Sequence, residues 1–317
     1  MALIKRPASQ ADKPFLLRMM LYGELGSEGK TTTLASFLKN PNIKQVIWIA
    51  VDATTLGSLS FVDDVWGVTL AKGQLLIAEV PKVSTSSLEA AVDNASAAYL
   101  AVHKPLLGDY AAYDAFDGSP VKLKKPSDYT GDTLIIIDGL SSYNDKLLFK
   151  GNANFALRTA GKTLKQYDGV YNDHKELLHK LSFLIQSANC HVAVTAHNFS
   201  ASSADAVLTP YGLKKNFPNL LVKSMLAEFT KDFNWILVVR KTVSGTGKPD
   251  RFLVGFDTDW FTKTSFNEIT FEKECEAANL DPVTMKPKKN LLEHISLKRL
   301  PCDLTHPIYP FLKGEIT

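Results

Sequence analysis

The sequence predicts an α/β fold: a mostly parallel central sheet flanked by helices, with an antiparallel hairpin added at one edge. Three observations carry this. Short apolar runs rich in β-branched residues alternate with segments of helical periodicity, the pattern of parallel strands joined by crossover helices. A glycine-rich segment separates the first such run from the first helical one. Late in the chain, two apolar runs flank Ser-Gly-Thr-Gly-Lys-Pro-Asp, most simply a hairpin.

The elements follow in order. Residues 1–14 are polar and read as an N-terminal arm, 15–270 as the main domain and 271–317 as a C-terminal extension. The run FLLRMMLY at 15–22 has the length of a buried strand. After the glycines, Leu34, Phe37 and Leu38 recur at helical spacing. QVIWIAVD (45–52) and LLIAEV (75–80) are the next strands, and the alanine-rich 86–103 predicts a helix with its N-cap near Thr85. Residues 104–131, rich in Gly, Pro, Asp, Tyr and Lys, read as a loop or insertion. TLIIID (133–138) is a strand. A helix over 174–188 carries Leu177, Leu178, Leu181, Leu184 and Ile185 on one face, and CHVAVTA (190–196) is a further strand. Residues 199–219 read as a loop and 221–229 as a helix. The hairpin strands are 234–242 and 251–257, 270–280 reads as a short helix, and a polar tail runs from Asp281.

Composition limits the function classes. A length of 317 residues with 45% hydrophobic content suffices for a sizeable core. The net charge of +3, from 36 basic and 33 acidic residues, is too mild to argue for nucleic acid by itself. Cys190, Cys275 and Cys302 are far apart and form no C-x-x-C pair, which argues against a disulfide framework or a zinc site and for a reducing compartment. No apolar run reaches transmembrane length and the N-terminus lacks a signal-peptide pattern, so the expected location is the cytoplasm, with no membrane partner.

The central chemical signal is GELGSEGKTTT, residues 23–33. Concentrated negative charge on a phosphate is matched by inward-turned amides of a glycine loop and by the start of the helix that follows. This predicts a phosphate-binding loop for ATP, formed by Gly23, Gly26, Ser27, Glu28, Gly29, Lys30, Thr31 and Thr32. Lys30 reaches the β- and γ-phosphates, and the Thr31 hydroxyl ligates Mg²⁺. The usual spacing, G-x-x-x-x-G-K-[ST], places the first glycine where Glu24 stands. Either the loop is one residue longer, or Gly23 and Gly26 share the role. The alternative to a phosphate loop is a glycine-rich turn with a chance Gly-Lys-Thr. Its position between an apolar strand and a helix favours the phosphate loop.

Asp138 ends TLIIID and is the candidate to hold Mg²⁺ through water, opposite Thr31. Its rival role is to start an ordinary turn. Asp52 ends the strand VIWIAVD and either orients the attacking water or simply opens a loop. Glu79 is a weaker candidate for that base. His197, and Asn198 beside it, follow CHVAVTA and are placed to sense a γ-phosphate, unless the histidine is structural.

Taken together, YGELGSEGKTTTLASF, VIWIAVD, DTLIIIDGLSS and CHVAVTAHN resemble the RecA-like P-loop ATPases encoded by phages, over about residues 15–260 with 104–131 unmatched. Some members of that group resemble single-strand-annealing recombinases. The resemblance implies a RecA-like P-loop NTPase fold, ATP and Mg²⁺ as ligands, and ring or filament homo-oligomers with ATP between subunits. It carries roles onto Gly29, Lys30, Thr31 and Asp138, and onto Asp52 and His197. It also implies a trans-acting cation, for which Arg240, Lys241, Lys248, Arg251 and Lys263 are candidates if they are not a solvated charged hairpin. Single-stranded DNA is the implied partner. Lys122, Lys124, Lys125, Lys214 and Lys215 are available for its phosphates, and Tyr110, Tyr113, Phe116, Tyr129 and Tyr211 for stacking on bases. Two other readings stand beside this ATPase: a nucleotide-binding scaffold with little or no hydrolysis, and a helicase or packaging motor.

Overall fold

Strands buried on both faces read as continuous apolar runs, and the runs identified above form such strands. The structure is a computed structural model that describes residues 16–24, 29–51, 55–79, 103–143, 168–200, 207–209, 212–220, 225–243, 249–257, 259–264, 299–306 and 309. The strands are β1 (Arg18–Gly23), β2 (Gln45–Ala50), β3 (Leu75–Glu79), β4 (Ala111–Asp114), β5 (Pro120–Lys122), β6 (Thr133–Asp138), β7 (His191–Ser200), β8 (Val207–Thr209), β9 (Gly212–Lys214), β10 (Asn216–Pro218), β11 (Trp235–Val243), β12 (Pro249–Val254) and β13 (Leu300–Pro301). The helices are α1 (Lys30–Ala35), α2 (Thr55–Leu59), α3 (Val62–Trp66), α4 (Asp168–Ser187) and α5 (Met225–Thr230); a 3₁₀ turn, Ser36–Lys39, prolongs α1.

The main sheet runs β13-β12-β11-β1-β7-β6-β2-β3-β4-β5, with β10 branching from β7. Its middle six strands, β11, β1, β7, β6, β2 and β3, pair in parallel. Both edges are antiparallel: β12 and β13 on one side, β4 and β5 on the other. The expected hairpin is therefore β11–β12. The parallel centre aligns the carboxyl ends of β1, β7, β6 and β2 in one row, where open α/β sheets bind ligands.

Side chains alternate across the sheet and divide the core in two. One layer holds Ile135, Ile137, Val192 and Val194 against Leu178, Leu181 and Ile185 of α4 and Leu226 and Phe229 of α5. The other holds Leu134, Ile136, Trp48 and Ala193 against Leu34, Ala35 and Phe37, and against Leu59 and Val62. Each fully buried Leu, Ile or Phe contributes roughly 1.5–3 kcal/mol. Of the helical stripe on 174–188, Leu178, Leu181 and Ile185 are buried and Leu184 packs at its margin; the Leu177 side chain lies outside the described residues.

Three segments are more ordered than their composition predicts. Within 104–131, β4 and β5 extend the sheet: Tyr113 pairs with Ile77, and Ala112 with Val121. Within 199–219, β7 runs on to Ser200, and β10 turns back to pair Phe217 with Phe199. The polar tail contains β13, whose Leu300 pairs with Leu253, and Leu300, Leu304 and Tyr309 are buried in the α1-side layer. In each case strand pairing satisfies the backbone where sequence periodicity is too short to show. The short helices α2 and α3 had no periodic signal either. The predicted helices over 86–103 and 270–280 lie outside the described residues. Among those described, no helix is long and apolar enough to cross a membrane.

Candidate functional site

The site is built where β1 passes into α1. Gly29 is the N-cap of α1 with φ of 90°, a left-handed conformation that a side chain rarely adopts. Its carbonyl accepts the Thr33 amide at 2.8 Å, closing the first turn. The first turn, Lys-Thr-Thr-Thr, contains no acid. The Lys30 ammonium donates to the Glu24 carbonyl at 3.0 Å, spanning the loop.

Asp138 is the focus of the polar contacts. It is the last residue of β6, only 4% exposed, and lies between the ends of β2 and β7. Thr31 on α1 donates its hydroxyl to Asp138 Oδ2 at 2.9 Å. The Thr55 hydroxyl (3.1 Å) and the Trp48 indole N–H (3.2 Å) donate to the same oxygen. Thr195 on β7 donates to Oδ1 at 2.5 Å, and its own oxygen accepts the Gly139 amide at 2.8 Å. A buried carboxylate without partners is costly, and here four donors from four elements hold it. Gly139, with φ of 113°, makes the sharp exit from β6.

His197 sits on β7 directly opposite Gly23, the end of the strand that leads into the loop. Alternation along β7 from Ala193 through Thr195 puts it on the Asp138 side of the sheet. Its amide donates to the Ser141 hydroxyl at 2.8 Å, and its carbonyl accepts the Asn219 amide at 2.8 Å. Asn198 faces the other way and donates to Asn216 and Ser200. The Glu79 carboxylate, at the far end of β3, accepts the Tyr113 hydroxyl at 2.7 Å. Burial, and then that bond, raise the Tyr113 pKa.

The structure thus brings Gly23, Gly29, Lys30, Thr31, Asp138 and His197 to one row of strand ends. Thr32 is in the same turn; its carbonyl accepts the Trp66 indole N–H at 2.8 Å, tying α1 to α3. Gly26, Ser27, Glu28 and Asp52 lie outside the described residues. Trp48, Thr55 and Thr195 were missed. Thr195 carried a signal: it is the one hydroxyl within the apolar run CHVAVTA, on the inward spacing of a buried strand. Trp48 and Thr55 become meaningful only once β2 is known to lie beside β6.

Behind the loop, Cys302, Asp303 and Leu304 brace α1 and its 3₁₀ extension. The Ser36 hydroxyl accepts the Leu304 amide at 2.9 Å, Lys39 pairs with Asp303, and Cys302 shares a hydrogen bond with the Thr33 hydroxyl. Burial pushes the Cys302 thiol up to about 11, so it is protonated at neutral pH. On the β4–β5 edge, Tyr110 donates to the Glu79 carbonyl and Tyr129 accepts the Lys124 amide, so these hydroxyls and that of Tyr113 serve the protein itself. Phe116 is 58% exposed; Tyr211 lies outside the described residues.

No protein-family model matches the chain, and no curated protein does. Among solved structures it is similar to the assembled ATPase EscN, in complex with its central stalk EscO, from the type III secretion system of enteropathogenic E. coli. That match has 10% identity and a TM-score of 0.37, over 83% of this chain and 52% of the other. It is also similar to a prototypical ATPase from the type III secretion system of pathogenic bacteria, at 10% identity and a TM-score of 0.38, over 84% of this chain and 64% of the other. The chain therefore spans less than two thirds of the length of either.

Proposed function

We propose that the protein is a P-loop ATPase that binds ATP with Mg²⁺ at the β1–α1 junction. One observation carries the reading: the Thr31 hydroxyl on the helix after Gly29-Lys30 meets the strand-ending carboxylate of Asp138 at 2.9 Å. A hydroxyl and a carboxylate are hard oxygen donors, the type Mg²⁺ selects, and both lie at the carboxyl edge of a parallel sheet. Thr31 and Asp138 would hold the ion, which when bound supplies neutralising charge to the phosphates.

The residues divide the work. Gly29 and the following amides cradle the polyphosphate, and Lys30 exchanges the Glu24 carbonyl for phosphate oxygens. Thr55, Trp48 and Thr195 fix the Asp138 carboxylate in place, so its position costs no rearrangement during reaction. Asp52 is our candidate to orient the attacking water, and His197, level with Gly23, to register the state of the terminal phosphate. The finer reading follows the resemblance of the sequence motifs: a RecA-like protein of phage origin that forms homo-oligomers and acts on single-stranded DNA. The exposed Phe116, with Lys122, Lys124 and Lys125 on the β4–β5 edge, is the surface we assign to the DNA.

The test is Mg²⁺-dependent ATP binding and phosphate release, with and without single-stranded DNA, for the native protein and Lys30→Ala. DNA-stimulated release that Lys30→Ala abolishes supports the full reading. Tight binding without turnover under every DNA condition leaves a nucleotide-binding scaffold instead. Absence of Mg²⁺-dependent binding removes the proposal altogether.

A further inference from the structure

Of the five cations around the β11–β12 hairpin, Lys248 lies outside the described residues and the other four are sorted by the sheet. On β11, Ile236 and Val238 belong to the α4-side layer. Arg240 continues their spacing and stacks its guanidinium 4.8 Å from the Trp260 ring centre. Lys263 donates to the Lys231 carbonyl at 3.2 Å. Neither contact involves Gly29 or Lys30.

Lys241 and Arg251 differ. Trp235, Leu237 and Val239 pack in the α1-side layer, so alternation puts Lys241 on that side; Leu253 does the same for Arg251 on β12. The two are direct partners in the antiparallel register. Arg251 also crosses to the loop: its Cδ and Nε lie 3.1 and 3.2 Å from where a Cβ on Gly29 would sit. The positive φ favours glycine at position 29, and any Cβ there would also make the Arg251 side chain shift by a few tenths of an ångström.

We infer that Arg251 binds the terminal phosphate of the nucleotide held by its own chain. This rests on the phosphate-loop reading above but departs from the resemblance, which implies a cation supplied by a neighbouring subunit. A planar guanidinium beside the loop glycine offers paired N–H donors to phosphate oxygens, a geometry that a lysine does not reproduce.

Affinities for a fluorescent ATP analogue and its ADP counterpart, with Mg²⁺, test the assignment in the native protein, Lys30→Ala, Arg251→Ala and Arg251→Lys. Arg251→Ala is expected to weaken the triphosphate about tenfold and the diphosphate much less, with Arg251→Lys between. Adding excess Lys30→Ala, which carries an intact Arg251, is expected to restore nothing to Arg251→Ala. Restored binding would show service in trans and overturn the inference, as would unchanged triphosphate affinity in Arg251→Ala. Equal binding by the native protein and Lys30→Ala would instead refute the phosphate-loop reading itself.

Discussion

The two ends of the parallel strands β1, β7 and β6 each bury charge or a titratable group, and they do so in opposite ways. At the amino end, the Arg18 guanidinium donates to the carbonyls of Leu17, Cys190 and Ala188 at 2.6–3.1 Å. His191 Nδ1 accepts the Leu17 amide at 2.9 Å. Most of these partners are fixed main-chain atoms. At the carboxyl end, the Asp138 carboxylate is held mainly by hydroxyls, which rotate. A cation satisfied by backbone has nothing to exchange and is a structural fixture. A carboxylate held by hydroxyls can pass one lone pair to an incoming ion and keep the rest of its partners.

That contrast breaks if the two ends respond alike to substitution. The largest effect is expected for Arg18→Ala, which takes the guanidinium donors from the Cys190 and Ala188 carbonyls and leaves the Leu17 carbonyl with the Val192 amide alone: a stability loss of about 3 kcal/mol in denaturant unfolding, with nucleotide affinity unchanged in the folded fraction. Lys30→Ala is expected to do the reverse, weakening ATP binding about 100-fold in direct titration while stability stays within about 0.5 kcal/mol. Thr195→Val tests the middle case: about 1 kcal/mol of stability is lost, along with part of the Mg²⁺ dependence of binding, because both Asp138 and Gly139 lose a partner.

Acidity sharpens the comparison with a smaller effect. Burial lowers the His191 pKa below its usual 6.5, so the unfolded chain takes up the proton first. Its contribution is complete above about pH 6.5 and is lost as the pH falls through the lowered folded value. Unfolding midpoints measured between about pH 7 and 5 should decline, and His191→Gln should flatten that decline. The thiols give the smallest signal. Burial pushes Cys190 up to about 12 and Cys302 to about 11, so native alkylation at neutral pH should be far slower at both than after unfolding.

The parallel centre is legible because its strands are largely buried on both faces and show as nearly continuous apolar runs. TLIIID and CHVAVTA needed no partner to be recognised. The edges were not, because β4, β5 and β13 are short and half-exposed, and their pairing with β3 and β12 decides their structure. The site divides along the same line. Lys30, Thr31 and Asp138 stand at strand or helix boundaries marked by glycine or by the end of an apolar run. Trp48, Thr55 and Thr195 matter through adjacency of β2, β6 and β7, which spacing along the chain does not encode. Arg251 was visible only as one basic residue among five until register placed it over Gly29.

The bond from Leu304 to Ser36 spans 268 positions in the chain. Six residues of α1 are too few to hold a helix in water unaided, so this turn depends on contacts of very high sequence separation. Such contacts form late, after the entropy of closing the intervening chain has been overcome. In refolding experiments, competence to take up ligand should therefore lag behind assembly of the sheet, with the Trp66 indole, anchored on the Thr32 carbonyl, as a fluorescent clock for that final step.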